Sequence, residues 1–174
     1  MRIGGGIDLI GYRKASRSDL TQLWAIYISQ HPEDARWKQR AEECLAYNRS
    51  GQAATFVVLH NRAPVGGATL FFSPACHPID GRTVLADGAS VANLRDLHIR
   101  EEFRNPDCLA DLIRIMEQFA QRNGCRTITL GVPASRPQEL VTYIHLGYTR
   151  FVCTQTEDGV QTLYYAKDLD RTYN

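Results

Sequence analysis

Residues 93–123 read NLRDLHIREEFRNPDCLADLIRIMEQFAQRN, and the fold turns on how they are parsed. Residues 91–99 form a strand in which Leu94, Asp96 and His98 share one face and Arg95, Leu97 and Ile99 the other, because strand side chains alternate. Leu109, Leu112, Ile113, Met116, Phe119 and Ala120 then recur at i, i+3, i+4 and i+7, the signature of an amphipathic helix. Asn105 is its N-cap and Pro106 its first residue; Asn123 and Gly124 stop it, with Arg122 suited to the negative end of the helix dipole. A strand that feeds a helix start is a ready anion site, since the first helical N–H groups have no partner inside the helix. Asp107 opposes that use. A first-turn acid occupies the favourable end of the dipole, an effect of about 0.3–1 kcal/mol that weakens an anion site without abolishing it.

Upstream, residues 12–15 are a short strand. Ser18 caps a helix carrying Leu20, Leu23, Trp24, Tyr27 and Ile28, which His31 and Pro32 break. A second helix follows over about 33–47, with Trp37, Ala41, Cys44 and Leu45 on its apolar side, and the segment 48–51 closes it. Residues 55–60 and 65–72 are strands around a break at 61–64. Gly66 and Gly67 inside the second suggest a bulge or a close backbone approach. The polar connection 73–90 is long enough to be functional and holds a short strand candidate at 83–85. Downstream, 127–132 is an apolar run suited to a central buried strand. Pro137 opens a helix that Gly147 ends. Residues 148–155 and 160–167 flank Asp158-Gly159 as a hairpin, with 160–167 as an edge available to a second copy of the chain. The element order β-α-α-β-β-β-α-β-α-β-β implies an α/β (α+β) architecture, a mixed sheet with helices on its faces.

The chain has 174 residues, consistent with one domain over 1–174 with short tails at 1–9 and 170–174. Lys plus Arg number 20 and Asp plus Glu 19, a balance that gives no electrostatic footprint for nucleic acid or an anionic membrane. No apolar run is long enough to span a bilayer, and the N-terminus lacks the apolar core of a secretory signal. Five cysteines, none in a C-x-x-C pair, signal neither a disulfide framework nor a zinc site. With scattered histidines they point to a metal-independent protein of the reducing cytoplasm.

Several phrases together resemble the GNAT superfamily of N-acetyltransferases over about 12–169. Leu94-Arg-Asp-Leu-His-Ile99 followed by Glu101-Glu-Phe-Arg104 is similar to that family's L-x-D-L-x-V-x-P-E-Y-R phrase. Gly124 to Leu130 resembles its G-x-x-x-I-x-L strand, Tyr143 to Tyr148 its Y-x-x-x-G-F phrase, and the 163–169 segment its closing strand. The resemblance implies a mostly antiparallel central sheet of six to seven strands with helices on both faces. It also implies acetyl-CoA as cosubstrate and a small-molecule or peptide primary amine as acceptor, with direct transfer in a ternary complex. The family's pyrophosphate turn, R-x-x-G-x-G/A, falls on Arg104, Asn105, Pro106, Asp107, Cys108 and Leu109. The arginine is kept, and Asp107 and Leu109 replace both small residues.

In that frame the 104–109 turn would hold the coenzyme phosphates, and the backbone of Leu97, His98 and Ile99 would polarise the thioester. Tyr143 would protonate the departing sulfur. His98, whose ordinary pKa suits proton transfer near neutrality, would take the proton of the amine, with Asp96 as the other candidate or as the group that orients the amine or a water. Trp24, Tyr27 and His77 would contact the acceptor. Each position also has a structural reading: helix start for 105–107, surface charge for Arg104, core packing for the aromatics. The lost glycines keep two further readings open, a GNAT-fold binding or regulatory module with weakened catalysis and a transferase for another acyl-CoA.

Overall fold

The computed structural model of the protein describes residues 9–169. The expected tails lie outside these residues except for Leu9, whose carbonyl accepts the Asn61 N–H at 3.0 Å. The elements run β1 (Ile10–Lys14), α1 (Arg17–Gln30), α2 (Arg36–Ser50), β2 (Ala53–His60), β3 (Ala63–Phe71), β4 (Val91–Ile99), a 3-10 turn (Glu101–Phe103), α3 (Pro106–Arg122), β5 (Thr127–Pro133), α4 (Pro137–His145), β6 (Arg150–Glu157) and β7 (Val160–Asp168). They form one seven-stranded sheet in the order β1-β2-β3-β4-β5-β7-β6. Every neighbouring pair is antiparallel except β4 and β5, which α3 connects as a parallel crossover.

Local chemistry moves several boundaries. Ser16, not Ser18, caps α1: its hydroxyl accepts the Asp19 N–H at 3.1 Å, and the Asp19 carboxylate accepts the Ser16 N–H at 3.0 Å. That reciprocal box needs an acid three residues after the cap, a spacing Ser16 has. Helix α2 begins at Arg36 rather than near residue 33, because Asp34 folds back to accept the Arg36 N–H at 3.0 Å and holds a turn there. No strand forms at 83–85. The Leu85 N–H instead turns back to the Arg82 carbonyl, and Leu85 is buried with Cys76 and Ile79 beneath the connection. The hairpin at Asp158-Gly159 forms as expected, but β7 is not an edge. Its Tyr164 and Ala166 are 0% and 1% exposed, so β7 is drawn inside against β5, and the poorly buried β6 becomes the edge.

Two layers cover the sheet. Leu112, Ile113, Met116 and Ala120 of α3 pack on Phe56, Val58, Leu70, Leu94 and Ile128. The opposite face carries α1 and α2, whose Leu20, Leu23, Trp24, Tyr27 and Cys44 bury Val57 and Leu59. Strand β2 serves both layers by alternation, so nearly all of it is buried. All five cysteines are free and four are buried. None of the described helices is long and apolar enough to cross a membrane. Among the described residues no cluster of His, Cys, Asp and Glu is placed to hold a metal ion.

Gly66 and Gly67 lie where β3 crosses the end of β4. A Cβ on Gly66 would fall 2.6 Å from the His98 carbonyl oxygen and 2.7 Å from the Ile99 Cα, both backbone atoms that cannot rotate away. Gly66→Ala is therefore expected to lower stability by roughly 1–3 kcal/mol in urea unfolding, the scale of overpacking. An unchanged midpoint would mean that β3 and β4 separate freely at this point.

Candidate functional site

Strand β4 departs from regular alternation at Asp96, the only strand residue among those described with a positive φ, +56°. Its pairing with β3 runs Thr69 to Arg95 and then Gly67 to His98, so Asp96 and Leu97 together face the single residue Ala68. This is a β-bulge, and the left-handed backbone it needs is one that aspartate tolerates better than most side chains. The bulge revises the expected faces. Leu94, Leu97 and Ile99 all pack into the α3-side core. Arg95 and His98 project to the other side, where the His98 ring meets the Tyr27 ring edge-on at 5.4 Å. Asp96 and His98 thus share the α1/α2 side, without Leu94.

The bulge coincides with a parting of strands. Parallel pairing of β4 with β5 covers only Val91 to Leu94 against Thr127 to Leu130. Beyond that, β4 continues with β3 and β5 continues with β7, leaving their facing edges open. A cavity of about 750 Å³ lies on the α1/α2 side of the opening, walled by α1, α2, the 73–90 connection and the β6–β7 hairpin. Asp96 lies within it. The carboxyl keeps contact with solvent through the cavity but is surrounded by protein, and this desolvation raises its pKa against the opposing charges of Arg95 and Arg40.

Of the residues expected to meet an acceptor, Trp24 lines this cavity and His77 stands on its rim, 3.2 Å from Glu43. Tyr27 is buried behind it, with its hydroxyl pKa raised by burial and by the Asp96 charge. The aromatics of α1 and α2 form one packed group, in which His31 stacks on Trp37 at 3.9 Å and Trp24 lies edge-on to Tyr27 at 5.4 Å. They are chiefly core, with Trp24 contributing to the wall.

On the α3 side, Arg104 follows the 3-10 turn and is exposed. Its charge is felt at both His98 and Tyr143. The His98 pKa is lowered by desolvation and then by Arg104, which leaves the imidazole neutral at pH 7. Burial and the nearby Glu139 push Tyr143 up to about 12, with Arg104 partly offsetting them. Tyr143 is half-buried against the α3-side core.

The 104–109 turn is a well-made helix start. The Asn105 side chain accepts the Cys108 N–H at 2.9 Å, Leu109 N–H goes to the Asn105 carbonyl at 3.2 Å, and Pro106 has no N–H. Asp107 is exposed and its backbone N–H is the first-turn donor left over among the described residues. Cys108 is buried in the α3-side core with Tyr12, and Leu109 packs against the same core, so neither side chain faces the turn's open side.

The strand order, the parted β4 and β5 and the crossover helix decide the architecture. This is the GNAT fold. Solved structures similar to it include a protein of Desulfovibrio desulfuricans assigned to the GNAT acetyltransferases, at TM-score 0.69 and 10% identity, covering 93% of this chain and 100% of that one. Another is yncA of Salmonella typhimurium, assigned as an acetyltransferase and solved with acetyl-CoA, at TM-score 0.67 and 13% identity over 95% and 96% of the two chains. Aminoglycoside 6'-acetyltransferase type Ii aligns at TM-score 0.70 and 16% identity over 94% and 99%. No protein-family profile and no curated protein matches the sequence. At these identities the likeness establishes the GNAT fold and nothing finer.

One cluster escaped the sequence reading. Glu157, at the end of β6, accepts from Arg82 at 2.6 Å and from Arg95 at 2.9 Å, and the Tyr164 hydroxyl bonds it too. Arg82 and Arg95 both also donate to the Pro78 carbonyl at 2.7 Å. The cluster ties the 73–90 connection to β4, β6 and β7 and so fixes one wall of the cavity. A signal for it existed: an arginine inside a strand as apolar as 91–99 needs a carboxylate partner.

Burial raises the Glu157 pKa, but Tyr164 and the two guanidinium groups outweigh it and hold the carboxyl below its ordinary value. A carboxyl depressed on folding stabilises fully above its unfolded pKa of about 4.3, and that contribution is lost as pH falls through the folded value. Glu157→Gln should therefore lower stability by about 2 kcal/mol near neutral pH. The gap from wild type should close below about pH 4. Urea unfolding across pH measures both, and a gap independent of pH would refute the ionic role.

Proposed function

We propose that the protein is an acetyl-CoA-dependent N-acetyltransferase acting on a primary amine, as a single GNAT domain in the cytoplasm. The observation that carries this reading is the parting of β4 from β5 beyond Leu94, with Asp96 and His98 on its α1/α2 side and the charge of Arg104 felt at both His98 and Tyr143. Acetyl-CoA supplies an acetyl thioester when bound. The residues present fit it in part. Beyond Leu94 the β4 edge is free of β5, so the N–H groups there that point away from β3 are available, Arg104 offers a cation, and the α3 start offers the Asp107 N–H, but Pro106 and the Asn105 cap withhold the donors that a glycine-rich turn would present.

The roles follow from charge state. His98, neutral at pH 7, takes the proton that an alkyl ammonium must lose before attack, directly or through a water. Asp96 attracts that ammonium and orients it. The amine nitrogen forms its bond to the acetyl carbon as the carbon–sulfur bond breaks, with the N–H groups of that free β4 edge supporting the oxygen that gains charge. Tyr143, protonated throughout the neutral range, gives its proton to the departing thiolate. No nucleophilic side chain is needed, and Cys108, buried against the core, is not placed to be one.

A second reading has its own warrant. Helix α3 lacks the small residues and most of the free first-turn donors of a phosphate site, which favours a module of weakened catalysis that binds or regulates.

Acetyl-CoA decides between them. At millimolar concentration it should raise the melting temperature, because a ligand of the native state stabilises by RT ln(1 + [L]/Kd). The absence of any shift would sink the transferase reading. Within that reading, Tyr143→Phe should reduce kcat by roughly 10- to 100-fold while leaving the acetyl-CoA shift intact. Unchanged turnover would remove the acid role.

A further inference from the structure

The cavity's charges are mostly spoken for. Arg36 is bidentate with Asp34 at 3.0 Å, Arg82 and Arg95 share Glu157, and Glu43 is within hydrogen-bond distance of the His77 ring at 3.2 Å. Of the remaining lining charges, Asp80 and Asp96 have no ion pair among the described residues and Arg40 has only a long one. Asp96 has no hydrogen-bond or ion-pair partner among the described residues. Arg40 has only a 3.7 Å contact with Asp158, a turn residue whose side chain is 74% exposed. A pair that long and that solvated contributes little. Arg40 is nonetheless positioned, since its guanidinium lies over the Trp37 ring at 5.2 Å on the α2 wall. Its charge is felt at Asp96, so the two face one volume.

Resting on the transferase reading above, we infer that the acceptor is an amine that also carries a carboxylate, of the amino-acid class, with its ammonium at Asp96 and its carboxylate on Arg40. The chemistry is complementary. A zwitterion compensates Asp96 and Arg40 at once, whereas a simple amine leaves Arg40 unmatched. A planar guanidinium offers a carboxylate two parallel hydrogen bonds, which a lysine in its place would not. The 3.7 Å contact with Asp158 is one that an incoming carboxylate displaces at little loss. Asp80, the other lining carboxylate with no ion pair, is exposed on the 73–90 connection and adds at most a weak attraction for a second cation.

The test uses matched acceptors on the full chain: the primary-amine L-amino acids, β-alanine and γ-aminobutyrate, each beside its carboxamide, which keeps the amine and removes the negative charge. Coenzyme release with acetyl-CoA gives kcat and KM, and thermal shift gives binding in the same samples. At least one acid should have a KM roughly 10- to 100-fold below that of its amide. Arg40→Ala should erase the difference by raising KM for the acid alone, and Arg40→Lys should restore part of it. An equal or better amide, an Arg40→Ala effect shared by both members of a pair, or acids that neither react nor shift the melting temperature would each overturn the inference. The transferase reading fails separately, by the lack of any acetyl-CoA shift in the wild type.

Discussion

Strand β4 has two tasks that regular geometry cannot combine: it must pair with β3 along its full length and leave β5 after four residue pairs. A bulge resolves the conflict, because one extra residue bends the strand and increases its twist locally. Asp96 supplies the left-handed backbone for it. Opposite the bend, Gly66 and Gly67 let β3 follow closely. A side chain on Gly67 would meet the Phe56 carbonyl oxygen at 2.6 Å, so β2 holds β3 from behind while β4 bends in front. The opening, the exposure of Asp96 to the cavity and the turning of His98 toward Tyr27 all descend from this one adjustment.

An opening in a sheet is useful only if its walls keep their place, and the 73–90 connection has no regular structure to do that. It is held by charge instead. Arg82 and Arg95 reach its carbonyl groups and meet at Glu157, which the Tyr164 hydroxyl also bonds. Such a cluster is expensive to desolvate, and removing one member leaves the others unpaired, so it holds the wall in one arrangement. Fixing those charges to one another also withdraws them from the cavity. Among the lining charges left out of the cluster are Asp80, Asp96, Arg40 and Asp158.

The elements with strong local patterns were readable from their own residues: α3 by its one apolar face over the sheet, β2 by a continuous apolar run between two layers, the hairpin by Asp158-Gly159. Misread features depended on partners far away in sequence. Alternation along β4 fails at Asp96 because of pairing with β3, which no window on β4 contains. Strand β7 lies inside the sheet because Tyr164 and Ala166 bury better than anything on β6, a comparison between strands rather than a property of one. The α1 cap is the exception: Asp19, three residues on, answers Ser16 and was legible locally, and Arg13 adds a 2.9 Å ion pair from β1. Of the candidate site, His98, Arg104 and Tyr143 could be named from local phrases. The Glu157 cluster and the free Arg40 could not, since they become visible only when α2, the connection and the last hairpin are brought together.

The start of α3 shows how one local optimum works against another. An N-cap asparagine that accepts the Cys108 N–H and a proline at the first helical position are among the most stabilising choices available, with the cap alone contributing about 1 kcal/mol. Each acts by satisfying or deleting an unpaired N–H, and unpaired N–H groups are what a helix start offers an anion. Asp107 then places a negative charge where the dipole would favour a phosphate. Here the chain has favoured the helix over the anion. Recognition of an acidic ligand near this turn therefore falls chiefly to Arg104, a side chain whose charge also acts on His98 and Tyr143. A ligand that neutralised Arg104 would relax its downward pull on both pKa values, so occupancy of the turn and the proton-transfer properties of the two groups are electrostatically coupled.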